Sequence, residues 1–496
     1  MILRNKRFFR TAAALMAVCT ILPSVSAAAC TTVLVGKDAS ADGSTIIARN
    51  EDAYTANPKY FVVHEAKTNP AGTKHISVDN GFEFELPEKQ YKYTATPEWT
   101  DEYGLFEEAG TNEKGVAMSG TESGTTNEKV LKVDPFVKNG VAEDSIVTVV
   151  LPYVSTAREG VEMLGDIVEK YGSAECNGVA FSDKDEVWYM EIVSGHHWVA
   201  RRIPDNYYAV VANQVSIRNV DFTRTNDFMW STGIQEFVKK NKLNPSKTTF
   251  NVRNIFGTND KNDAEYNVCR VWDAQRILTP SKKDAYSITS KKIPMLQKPD
   301  KKITVEMVQQ VLSSHYNGTK YDPYGKAVGN YRAINVQRTM ESHIIQWRQN
   351  MPIDISGVYW LALGVPENSI YVPFYNGITD TPESYRKGTD AAYSSDSAYW
   401  TFKLTDVLTT PYYDIFMKKY VKPSYKLINA QLKANMANSD KVAMELYNQS
   451  PDKVAAYLTE QGMKNAEYTL EKVTELNNLL IQISTDARKS LHNSNL

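Results

Sequence analysis

Residues 30–52, CTTVLVGKDASADGSTIIARNED, constrain the fold more than any other stretch of this 496-residue chain. Thr31, Thr32, Val33 and Val35 are β-branched and favour a pleated strand. Asp38 to Gly43 carry turn chemistry that ends in Asp-Gly. Residues 44–49 (STIIAR) read as the return strand. The resulting hairpin brings Arg49, Asn50, Glu51 and Asp52 back towards Cys30, so one thiol is expected beside a cluster of charge.

What precedes Cys30 reads as an export leader. Arg4, Lys6, Arg7 and Arg10 form a positive start, and an apolar stretch follows to about Val25. Pro23 and Ser24 break it, and Ala27, Ala28 and Ala29 supply the small residues that a signal peptidase reads. The apolar run is shorter than the ~20 residues a spanning helix needs, so no membrane span is expected. Cleavage after Ala29 would start the chain with Cys30 and place a thiol (reference pKa about 8.5) and an α-amino group (about 7.7–8.0) on one residue. Nucleophile and general base would then coincide, and no distant histidine is required. The destination is secreted, periplasmic or cell-surface. A rival reading makes Cys30 the lipid-modified residue of an anchored, non-enzymatic binding protein, with both groups blocked. Ala27 stands where such lipoprotein signals usually carry a leucine-like residue, which favours plain cleavage.

Without residues 1–29 the chain has 467 residues, enough for a large core. Those 29 residues hold four Lys/Arg and no Asp/Glu, so 52 basic residues face 58 acidic ones, a formal charge of −6. This spread-out, mildly acidic balance argues against a nucleic-acid partner. Cys30, Cys176 and Cys269 remain, an odd count that leaves at least one free thiol. Cys176 and Cys269 either pair or are both buried and reduced. No HExxH and no clustered His/Asp/Glu is present, so neither metal nor cofactor is expected.

Further strands are expected at 60–64, 82–86 and 91–95. Two more lie within 106–124, whose small residues allow a backbone to approach another sheet or a ligand. Helical spacing marks 145–153 and 157–171, with Gly172 as the stop. Strands return at 178–182, 187–192, 198–202 and 207–212, and helices are expected near 223–241, 267–278 and 303–315. Residues 358–363 and 369–374 read as late strands. The chain is nearly all helical from about 391. That order fits an α+β fold of two antiparallel sheets stacked face to face with helices outside. No repeat or low-complexity linker appears, and no boundary before 382–395. The domains expected are therefore a leader (1–29), a catalytic unit (30–390) and a helical region (391–496) packed on it.

The combination Cys-Thr-Thr, DGST and ARNED in residues 30–52 resembles the start of family C69 secreted dipeptidases of the N-terminal nucleophile (Ntn) hydrolase superfamily. The segments YAVVANQ (208–214), NVCRVWDAQRIL (267–278) and VQRTMESHIIQ (336–346) extend that resemblance over most of the chain. It implies a four-layer αββα sandwich and a cysteine dipeptidase acting through a thioester, with a dipeptide or short peptide as substrate. It makes Cys30 the nucleophile, Arg49 the arginine that favours thiolate, and Asp52 the carboxylate that holds the α-amino group. Asn213 is implied as the oxyanion donor and Arg270 as a late active-site arginine. Arg338 and His343 are candidates for the substrate pocket, although a satisfied structural histidine fits His343 equally well. Bile salt hydrolases and penicillin V acylases share the Cys…Arg-Asn-x-Asp start, so an amidase acting on N-acyl amides is the alternative enzyme. Homo-oligomerisation is compatible with all of these readings.

Overall fold

The computed structural model describes residues 30–493; the expected leader lies outside them. Two large antiparallel sheets dominate. The first has seven strands, in spatial order Leu296–Gln297, Tyr208–Ala212, Thr31–Val35, Thr45–Asp52, Thr339–Trp347, Gly357–Leu363 and Val372–Tyr375. The second has eight: Phe228–Trp230, Trp198–Ile203, Val187–Ile192, Asn177–Ser182, Ala117–Ser123, Ala109–Asn112, Tyr93–Ala95 and Val62–His64.

The N-terminal hairpin forms as its sequence predicts. Thr31 pairs with Asn50, Thr32 with Arg49 and Val35 with Ile46. Gly43 supplies the left-handed φ of +78° that the turn needs. Every residue of both strands is buried. The hairpin therefore sits in mid-sheet, covered on both faces, so Arg49, Asn50, Glu51 and Asp52 must find buried partners.

Helices cover the outer faces. Glu143–Val150 and Ala157–Tyr171 lie on the eight-stranded sheet, where Ile146, Val150, Val161, Leu164 and Val168 share a core with Val179, Phe181, Trp188 and Met190. Thr156 caps the longer helix by accepting from Glu159 N, and the Glu159 carboxylate accepts from Ser155 N just before the cap. A Cβ on Gly165 would come within 2.3 Å of the Trp198 ring, so only glycine lets this helix sit so close to the sheet. Cys269–Leu278 and Val305–Leu312 pack on the first sheet. The helices Ala398–Thr409, Lys422–Gln449 and Val454–Asn493 gather near its far edge, tied by Arg348 to Asp440 at 2.6 Å and Tyr375 to Asp440 at 2.8 Å. Among the described residues, no helix is long and apolar enough to cross a membrane.

One expectation needs correction, and one central strand has no signal in the sequence. The helix expected at 223–241 is only Ile234–Lys240; Phe228–Trp230 is instead an edge strand on Trp198–Ile203. Its bulky β-formers meet an open sheet edge, and Gly233, at a φ of +73°, begins the helix after it. The nine-residue strand Thr339–Trp347, central and wholly buried, had no strand signal assigned to it. Cys176 and Cys269 do not pair: both are buried free thiols.

Candidate active site

Cys30 stands just before the first strand and is fully buried. Side chains alternate along a strand, so Cys30 and Thr32 share one face, the face of Arg49 opposite Thr32 and of His343 opposite Arg49. That face meets the second sheet. Thr32 Oγ1 donates to Glu122 Oε2 at 2.7 Å, and Arg49 Nε donates to Ser119 Oγ at 3.1 Å, both bonds crossing between the sheets.

Arg49 is the hub. Its Nη1 donates to Cys30 Sγ at 3.1 Å and to the Thr121 carbonyl at 2.7 Å. Its Nη2 donates to the Gly120 carbonyl at 2.8 Å and to the Glu108 carboxylate. The guanidinium is thus fixed in a plane that a lysine could not reproduce.

Arg270 approaches from the helical side. Its Nη1 donates to the Cys30 carbonyl and, at 2.9 Å, to Thr31 Oγ1. Its Nη2 donates to Asn213 Oδ1 at 2.7 Å and to Asn267 Oδ1 at 2.9 Å. Holding Oδ1 directs the donor end of the Asn213 amide away from the guanidinium. A π-helical segment, Asp263–Val268, precedes the Arg270 helix and places Tyr266 over the same site. The Arg270 guanidinium lies 5.2 Å from the Tyr266 ring centre and that of Arg332 lies 5.7 Å from it. Arg338 donates to the Tyr266 hydroxyl. Asp52 accepts from Arg332 Nη2 at 2.6 Å and from the Thr339 hydroxyl.

Cys30, Arg49, Asn213 and Arg270 therefore form one bonded cluster. Asp52 and Arg338 join its rim through Arg332 and Tyr266. His343 lies a step further back: Nδ1 meets Glu341 at 2.8 Å and Nε2 meets Ser119 Oγ at 2.9 Å, and Ser119 in turn accepts from Arg49. It reaches Cys30 only through two intermediaries.

The electrostatics differ from the simple expectation of a thiolate beside an arginine. Burial pushes the Cys30 thiol well above its ordinary pKa. Arg49 opposes this, but Glu122, Glu143 and Glu108 add to it. Glu108, paired with Arg49, offsets part of that cation's pull on the thiol. Burial lifts Glu122 to about 7 against the pull of Arg270 and its bond from Thr32. Among the described residues, no group of three or more His, Cys, Asp or Glu side chains is arranged to hold a metal ion.

The family model described as Peptidase family C69 matches residues 29–425. The chain belongs to peptidase family C69. It is 46% identical over 470 residues to a "Probable dipeptidase" of Latilactobacillus sakei, covering 94% of this chain and 97% of that protein. A "Probable dipeptidase B" of Lactococcus lactis subsp. lactis is 40% identical over 457 residues, covering 90% of this chain and 94% of its own. A "Dipeptidase A" of Lactobacillus helveticus is 37% identical over 403 residues, covering 78% of this chain and 83% of its own.

Several groups of this cluster escape sequence reasoning: Glu108, Ser119, Glu122, Tyr266 and Arg332. A signal existed for the first three. They lie in 106–124, where charged and hydroxyl residues are embedded among small ones in a strand pattern, and charge in a buried strand needs a partner. Arg332 and Tyr266 lie in segments with no comparable signature.

Proposed function

We propose that this C69 peptidase is an exported dipeptidase in which Cys30 is the N-terminal nucleophile. The observation that carries the reading is the Cys30 cluster itself. One arginine lies at the thiol and a second at the carbonyl of the same residue, in a chain whose relatives bear the name dipeptidase. Removal of residues 1–29 frees the α-amino group. The thiol proton passes to that amine as Sγ attacks the peptide carbonyl. A concerted transfer suits a thiol whose ionisation is disfavoured by burial. Asn213 Nδ2 and a backbone N–H donate to the oxyanion, an effect worth about 2.7–4 kcal/mol per donor. The protonated amine delivers its proton to the leaving amino group. A thioester remains, and water activated by the amine resolves it. Asp52, held by Arg332 and Thr339, orients the α-amino group.

The two sheets bridged at Thr32, Arg49 and Ser119, with helices outside, support an Ntn-type αββα arrangement. In this reading residues 30–390 carry the chemistry and 391–496 brace them. The test is N-terminal sequencing of the exported protein combined with a hydrolysis panel. Cys30 at position one and cleavage of unblocked dipeptides are expected. Cleavage of N-acyl amides alone would replace the reading with the amidase one, and a diacylglyceryl-modified Cys30 would end it.

A further inference from the structure

We propose that Glu122 is the anchor for the free α-ammonium of the substrate, and so the residue that restricts this enzyme to peptides with an unblocked N-terminus. The inference rests on the dipeptidase reading and adds a residue to it.

In a dipeptide the attacked carbonyl belongs to the N-terminal residue. Its ammonium nitrogen is therefore only ~2.5 Å from the reacting carbon, two bonds away. With Sγ about 3–3.5 Å from that carbon in a near-attack pose, the ammonium must lie within a few ångströms of the thiol. A site that selects the ammonium needs an anion there.

Glu122 meets that requirement. It projects from Ala117–Ser123 across the gap between the sheets and is bonded to Thr32, two residues from Cys30 on the same strand face. At ~3.3 Å of rise per residue, this puts the carboxylate about one side-chain length from the thiol. After Arg49, Glu122 is the strongest charge acting on Cys30. Its Oε2 is taken by Thr32, whereas its Oε1 is buried with no hydrogen-bond partner among the described residues. The other nearby carboxylates are engaged. Glu108 is paired with Arg49, Glu143 accepts from Thr121, and Asp52, held by Arg332 and Thr339, is assigned to the α-amino group of Cys30 itself. Glu51 and Glu341 also carry an unpartnered oxygen, but they lie behind Arg49, beside Lys59 and His343 respectively. Burial keeps Glu122 near the midpoint of its titration at neutral pH, and an arriving ammonium favours its ionised form.

The rival role is a strut, in which the Thr32–Glu122 bond merely pins the two sheets. The experiment uses the processed full-length enzyme and three substrates: alanyl-alanine, its des-amino counterpart propionyl-alanine, and N-acetyl-alanyl-alanine. The wild type should favour alanyl-alanine over propionyl-alanine by ~100-fold or more in kcat/KM, as sites built around a buried polar contact do. Glu122→Gln should collapse that ratio to within about tenfold, mainly through KM for alanyl-alanine. Glu122→Asp, which keeps the charge on a shorter stem, should retain a preference at a raised KM. Equal wild-type rates on alanyl-alanine and propionyl-alanine would overturn the anchor without any variant. So would a Glu122→Gln enzyme that loses both substrates in proportion, as a strut predicts. If Glu122→Gln does not fold, the wild-type ratio and Glu122→Asp decide, and a Glu122→Asp enzyme whose KM rises in proportion on alanyl-alanine and propionyl-alanine, rather than on alanyl-alanine alone, overturns the assignment. A wild type that cleaves only the N-acetyl substrate, or none, defeats the dipeptidase reading and this inference with it.

Discussion

Arg49 Nη1 lies 3.1 Å from Cys30 Sγ, yet the thiol it faces is held well above its ordinary pKa. Proximity to a cation does not suffice when both groups are buried and the cation already serves a carboxylate. On the proposed mechanism the base takes the proton during attack. We expect kcat/KM to rise with pH through an apparent pKa of about 7–8, that of an α-amino group, rather than to plateau from low pH as a preformed thiolate would give. A pH–rate profile on a dipeptide checks this. Cys30→Ala should abolish turnover with little change in thermal midpoint; substantial activity in the purified variant would remove the mechanism.

If the base is the α-amine of Cys30, one additional residue before it is enough to silence the enzyme. A chain processed to begin at Ala29 should fold with the same circular dichroism and the same midpoint but show a loss of at least ~100-fold in kcat, the usual order for removing a general base. Trimming that alanine with an aminopeptidase should restore the rate. Full activity in the alanine-extended protein would require a different base.

Arg49 is also a structural charge. Arg49→Met leaves the Glu108 carboxylate and the Gly120 and Thr121 carbonyls without their donor. Breaking a buried pair from one side costs about 3–5 kcal/mol. Arg49→Met/Glu108→Leu should recover most of that stability without recovering turnover, because the thiol still lacks its cation. Urea unfolding and kcat measured on the same preparations separate the two effects.

The readable parts of the chain are those where polarity and position agree. The hairpin 30–52 shows through its β-branched run and Asp-Gly turn, and the helix Ala157–Tyr171 through its helical spacing and glycine stop. The strand Thr339–Trp347 does not show, because Glu341, Ser342, His343 and Gln346 are polar and buried together. Hydropathy reads such a stretch as surface, and only the partners in other strands and in the second sheet make its burial tolerable. Glu108 and Glu122 lie in a stretch that does read as strand, but nothing local names their partners, Arg49 and Thr32. Cys30, Arg49, Asn213 and Arg270 converge in space, but local pattern alone would have left Asn213 as a turn residue and Arg270 as a helix-surface cation. The resemblance, not the spacing, singled them out.

Glu191 offers a test of the buried electrostatics away from Cys30. It lies on Val187–Ile192, and its carboxylate accepts from the backbone N–H of Ile217 at 3.2 Å as well as from Ser216. Burial nevertheless raises its pKa to about 8, outweighing those two bonds and the charge of Arg253. A carboxyl whose folded pKa exceeds its unfolded one binds more protons when folded. Stability is then undiminished below the unfolded pKa of about 4.3 and falls as pH rises towards 8, after which it levels off. Each unit of that interval is worth on the order of 1.4 kcal/mol, so the accumulated cost at pH 8 is a few kcal/mol. Glu191→Gln keeps an oxygen for the N–H donors and removes the ionisation. It should come nearest the wild type at pH 4 and exceed it at pH 8. Urea midpoints across that range check the prediction, and a Glu191→Gln curve parallel to the wild type would mean that Glu191 is already compensated in the folded state.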